Sequence, residues 1–216
     1  MAGALGLSEA ASKRWSTRVP VRSHFPPWLP NAISIARIAL VPVWLALAWG
    51  NRQAALSGGD PSSLGPIVVL LVIGASDVVD GAIARRFALT TNLGATLDAV
   101  ADKIAQISTV TFLVLAGAPA FTALPLWLMV TLAARDFLLA VGWYTVHRKR
   151  GEVKAEHRWH GKVSSTLLFV LVIGALAGAA TSAVAWGAAV VVVLVIPSTI
   201  AYLAAGWRQL SQGSAR

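Results

Sequence analysis

Asp77 and Asp80 stand three residues apart, and Asp98 and Asp102 stand four apart. On a helix, both spacings put the two carboxylates of a pair on one face. Two such pairs on facing helices make a cage of oxygen donors, and oxygen-only ligands favour a hard divalent cation, Mg2+ or Mn2+. Four carboxylates carry enough negative charge for two ions. Gly81 follows Asp80 directly, and Gly94 precedes the second pair. Glycine in a helix costs about 1 kcal/mol relative to alanine, but it lets another group approach the backbone closely. Arg85 lies eight residues after Asp77, on roughly the same face. An arginine beside a metal cage suits a phosphate oxygen.

The elements that must position these groups are apolar. Of 216 residues 56% are hydrophobic and 12% charged, and the mean hydropathy is +0.69. A soluble domain usually carries about 25% charged residues. These values exclude a disordered chain and an ordinary cytosolic domain, and predict an all-α protein embedded in a bilayer. A span needs roughly 20 mostly apolar residues. Six candidates lie at about 31–50, 66–86, 92–117, 120–147, 162–182 and 184–206. They form one domain over 31–206, preceded by a basic juxtamembrane segment, 1–30, and followed by a cytoplasmic tail, 207–216. Within 1–30 there is no apolar run of signal-peptide type. Lys13, Arg14, Trp15, Arg18, Val19, Val21 and Arg22 have the composition of an amphipathic helix lying on the membrane surface, with a basic tail as the alternative. The absence of cysteine excludes disulfides, thiolate metal sites and a cysteine nucleophile.

Basic residues set the orientation. The N-terminal segment, the second-to-third connection (Arg85, Arg86), the fourth-to-fifth connection (Arg148, Lys149, Arg150, Lys154, Arg158, Lys162) and the C-terminus hold almost all of them, and the opposite side holds Arg52 alone. The positive-inside rule makes both termini cytoplasmic, which six spans satisfy. The net charge of +9 is then read as cytoplasmic loops facing anionic lipid, with no nucleic acid as partner. Five of the nine acidic residues, Asp77, Asp80, Asp98, Asp102 and Asp136, fall inside proposed spans. Such carboxylates cost several kcal/mol each unless compensated. Counted from the cytoplasmic ends, Asp77, Asp98 and Asp102 lie about 13, 9 and 15 Å deep at 1.5 Å per residue. The cage therefore belongs to the cytoplasmic half of the membrane.

The run from Asp77 to Asp102 matches D-x2-D-G-x2-A-R-x8-G-x3-D-x3-D at every specified position, with Ala84 the remaining member. It resembles the signature of the CDP-alcohol phosphatidyltransferase family. Pro30-Asn31 and Arg37 are similar to the family's opening P-N…R, and Gly161-Lys162 to the G-K of its glycerophosphate-transferring members. The resemblance implies a homodimeric enzyme of the cytoplasmic membrane, its site facing the cytoplasm, that transfers a phosphatidyl group from CDP-diacylglycerol to an alcohol with release of CMP. It implies Asp77, Asp80, Asp98 and Asp102 as ligands of two divalent ions, with Asp102 also the general base for the acceptor hydroxyl. Gly81, Arg85 and Gly94 would contact the CDP-lipid, as would Asn31 and Arg37.

The acceptor is less determined. Arg135 in the fourth span and Lys162 at the start of the fifth could bind an acceptor phosphate; the bland reading of Arg135 is an ion pair, with Asp136 or another helix. Lys154, His157, Arg158 and His160 add to the same cytoplasmic connection, where attraction to anionic lipid is the alternative. Phosphatidylglycerophosphate synthases often carry R-E in the fourth span, whereas Arg135-Asp136 resembles CMP-forming cardiolipin synthases. Glycerol 3-phosphate, phosphatidylglycerol and an inositol phosphate thus stay open, in that order. An intramembrane prenyltransferase would have more spans and N-D-x2-D motifs. A cation transporter would carry polar groups through both membrane halves.

Overall fold

The computed structural model describes residues 29–87, 92–150 and 159–211, with side chains except at 29–30, 80–93, 95, 149–150, 159–162 and 209–211. Every regular element among them is helical: α1 Leu29–Leu56, α2 Leu64–Phe87, α3 Asn92–Leu115, α4 Leu126–Arg150, α5 Trp159–Leu176 and α6 Thr181–Ser211. The expected interfacial segment at 13–22 lies outside the described residues.

Among the described residues, three helices are long and apolar enough to cross a membrane: Asn31–Leu56, Leu126–Arg148 and Thr181–Arg208. Shorter apolar stretches, Leu64–Val79 and Val163–Leu176, occupy α2 and α5, and α3 is interrupted by Asp98, Asp102 and Lys103. Val43, Leu47, Val68, Leu71, Val130 and Val193 point outward, as lipid-facing residues do. Trp49 and Trp186 are exposed at the one end of the bundle, Trp143 and Trp207 toward the other, a distribution typical of membrane–water interfaces.

The packed core sits at one end. Trp44 of α1, Leu70 of α2, Phe112 and Leu113 of α3, Leu128 of α4, Ala175 and Leu176 of α5 and Val184 and Ala188 of α6 form a single buried cluster. Trp44 meets Phe112 edge-to-face, with ring centroids 5.6 Å apart, and its indole N–H donates to the Pro66 carbonyl at 3.0 Å. That bond satisfies the polar atom of a fully buried ring. The fourth helix starts at Leu126, not near residue 120. Pro119 and Pro125 disfavour helix there, and the segment packs as a loop that buries Phe121 and Leu124. Thr122 fastens this loop to the α5–α6 turn: its N–H donates to the Ala175 carbonyl at 3.1 Å and its hydroxyl to the Ala179 carbonyl at 2.6 Å.

Helices α2 and α3 each pack closely on α1, and α4 and α5 on α6; contacts between the two groups are sparse. One of them is a close approach of α2 to α5. A Cβ at Gly74 would lie 2.7 Å from Cζ of Phe169, so any larger residue there requires the ring to shift. Gly74→Val is expected to cost about 1–3 kcal/mol through overpacking, read as a lower unfolding midpoint in detergent. An unchanged midpoint would mean the ring moves aside freely.

Candidate active site

At the end away from the core, α1, α2 and α3 bring charged side chains together. Asp77, Asp98 and Asp102 each offer a carboxylate oxygen, and these oxygens all lie within 4.8 Å of one another. Two come from α3 at i, i+4 and one from α2, so the convergence depends on helix packing as well as spacing. The donor set is oxygen only, and all three side chains remain partly exposed. Hard donors at this separation, open to ligand entry, fit a divalent cation.

Arg37 of α1 enters this cluster from beneath. Its side chain is 0% exposed. Nη1 donates to Asp102 Oδ1 at 2.6 Å and to Asp98 Oδ1 at 2.9 Å, with Asp77 Oδ1 at 3.4 Å. Nε donates to the Ser76 hydroxyl at 3.3 Å, and that hydroxyl donates to the Ile73 carbonyl at 2.7 Å. One guanidinium against three carboxylates leaves two negative charges unmatched among the described side chains.

Beside Asp102, Lys103 crosses from α3 to α4 and donates to Asp136 Oδ2 at 2.7 Å and to Gln106 Oε1 at 3.2 Å. Asp136 is therefore already engaged. Arg135 approaches it only to 4.0 Å, and the Arg135 Nε–H is buried without an acceptor. A buried donor left unmade is costly, so this arginine is poorly satisfied by its neighbours. The ion pair with Asp136 expected as one option for Arg135 is present as a long contact, and Lys103 holds Asp136 more closely.

Of the residues singled out in the sequence, Asp77, Asp98, Asp102 and Arg37 come together. Gly94 lies in the first turn of α3, on the helix that carries Asp98 and Asp102, and Asn31 lies near the start of α1, half-buried. Asp80, Gly81 and Arg85 lie on α2 and Lys162 on α5, with side chains outside the described set; Lys154, His157 and Arg158 lie outside it altogether. Lys103 and Ser76 were not anticipated. The signal for Lys103 was a lysine inside an apolar helix, at a depth where Asp136 is the matching charge on the next one.

A family model described as CDP-alcohol phosphatidyltransferase matches residues 27–195. This chain belongs to that family. The match spans α1 through the first half of α6 and includes every carboxylate of the cluster. Membership, together with the apolar helices, makes the chain an integral membrane protein of a transferase family in phospholipid biosynthesis. Among curated relatives, the CDP-diacylglycerol–glycerol-3-phosphate 3-phosphatidyltransferase of Bacillus subtilis (strain 168) is 31% identical over 132 residues, 59% of this chain and 65% of that protein. The cardiolipin synthase (CMP-forming) of Streptomyces coelicolor is 38% identical over 113 residues, 52% of this chain and 48% of that protein. The chain thus aligns with between about half and two thirds of the length of these relatives.

Proposed function

We propose that this CDP-alcohol phosphatidyltransferase transfers the phosphatidyl group of CDP-diacylglycerol to an alcohol, releasing CMP, and that glycerol 3-phosphate is the alcohol. The convergence of three carboxylate oxygens from α2 and α3 within 4.8 Å carries the reading. A diphosphate donor needs concentrated positive charge where its phosphorus is attacked, and this cluster is built to hold it. Asp77, Asp80, Asp98 and Asp102 would hold two divalent ions, Mg2+ or Mn2+. When bound, these polarise the diphosphate and stabilise charge on departing CMP.

The chain's own residues do the rest. Asp102 takes the proton from the acceptor hydroxyl. The acceptor oxygen bonds to the phosphatidyl phosphorus as the bond from that phosphorus to the bridging oxygen breaks, and CMP leaves with the electron pair. Arg85 binds phosphate oxygens of the donor, and Gly81, Gly94 and Asn31 admit the nucleotide end close to the backbone. Arg135 and Lys162 bind the acceptor phosphate. The basic connections support a bundle of six spans with both termini and the site on the cytoplasmic side of the cell membrane, and the family resemblance supports a homodimer.

Phosphatidylglycerol is the second acceptor to consider, favoured by Arg135-Asp136 and by the identity to a relative named as a CMP-forming cardiolipin synthase. CMP release from CDP-diacylglycerol, measured with each acceptor in turn, decides between them. We expect release with glycerol 3-phosphate, loss of release in excess chelator, and recovery with Mg2+ or Mn2+. Release with phosphatidylglycerol alone would replace the acceptor; full activity after metal removal would sink the metal site.

A further inference from the structure

Arg37 is the most deeply buried charged side chain in the described bundle, and charged groups are almost never fully buried unless paired. Its pairing is unusual in form. A single nitrogen, Nη1, faces Asp77, Asp98 and Asp102, the same three residues whose oxygens converge closely enough to hold a cation. Those carboxylates repel one another at this separation, and nothing in helix propensity holds like charges together across α2 and α3. The guanidinium does so, anchored through Nε to Ser76 at 3.3 Å. It contacts one oxygen of each carboxylate, while all three side chains stay partly exposed.

We infer that Arg37 is a positioning residue, a built-in counter-cation that gathers Asp77, Asp98 and Asp102 and competes with the divalent ion for the charge of the same three carboxylates. The inference rests on the reading of these carboxylates as a metal site. A guanidinium and a divalent cation that neutralise the same carboxylates each weaken the other's hold. Arg37 therefore keeps the cage assembled while limiting metal affinity, and part of the work that the ion would do for the fold is already done by the chain. This differs from a donor-lipid contact, the role that resemblance implied for Arg37: a fully buried guanidinium facing three carboxylates acts on the cage and not on the lipid.

The test uses the full chain purified in detergent, with Mn2+ as the probe. Mn2+ affinity is read from the paramagnetic resonance of the free ion, and unfolding midpoints are recorded with chelator and with saturating Mn2+. Arg37→Gln is expected to bind Mn2+ at least about 10-fold more tightly, equivalent to about 1.4 kcal/mol. It should also unfold earlier than the parent in chelator and gain more from Mn2+. A merely structural arginine would lower the midpoint in chelator without tightening the ion. Unchanged or weaker Mn2+ binding by Arg37→Gln would overturn the inference. If that variant yields no folded protein, Arg37→Lys decides. Its ammonium keeps the positive charge beside the carboxylates, so Mn2+ affinity within about 3-fold of the parent's is expected, and a tightening of about 10-fold or more overturns the inference. A parent chain that binds no Mn2+ at all would instead remove the metal reading on which the inference rests.

Discussion

With Asp98 replaced by asparagine, the chain is expected to insert and fold but to release CMP at least about 1,000-fold more slowly. The amide keeps the shape of the carboxylate and loses its charge. Asp98 contributes one of three converging oxygens, and metal polarisation of a phosphoryl oxygen is worth several kcal/mol, at about 1.4 kcal/mol per decade of rate. Asp77→Asn and Asp80→Asn should behave alike. Asp102→Asn should also stop turnover, yet spare more binding of the CDP-lipid, because its work includes deprotonating the acceptor. The measurement is CMP release beside a size-exclusion profile for each variant. An Asp98→Asn chain that kept a tenth of the parent's rate would show that the carboxylate cluster is not the catalytic centre.

Arg135→Gln should raise the KM for glycerol 3-phosphate by roughly 10- to 150-fold and leave the KM for the CDP-lipid nearly unchanged. Charge-assisted hydrogen bonds to phosphate are worth about 1.5–3 kcal/mol, and about 1.4 kcal/mol is one decade. The structure sharpens this expectation. Asp136 is taken by Lys103 at 2.7 Å, whereas Arg135 stands 4.0 Å from it with its Nε–H buried and unmet. An arginine so placed has donors to give to a ligand. An acceptor KM that does not move would assign Arg135 to holding α4 in place.

Three of the four expected carboxylates come together, and the part of this that was legible is local. Spacings of three and four residues fix a helical face, and Asp77, Asp98 and Asp102 do converge. What the spacing could not supply was the rotation of α1 against α2 and α3. Arg37 was recognisable as a residue of interest, but its place beneath the carboxylates depends on three helices packing at once. Lys103 and Asp136 were separate charges in the sequence, and only the register of α3 against α4 makes them a pair. The start of α4 was misplaced for a different reason. Phe121 and Leu124 are as apolar as a span and are buried, so composition reads them as helix while Pro119 and Pro125 turn them into a packed loop.

That loop joins two mechanical bodies. Through Thr122 it ties the end of α3 to the α5–α6 turn, right where the apolar core locks all six helices. Toward the other end, the boundary between α3 and α4 is crossed by the Lys103–Asp136 bridge among the described residues. A bundle clamped at one end bends most easily at the other. The two groups of helices are therefore joined unequally, by a broad apolar seam beside Thr122 and by a charged contact near Asp102 and Arg135.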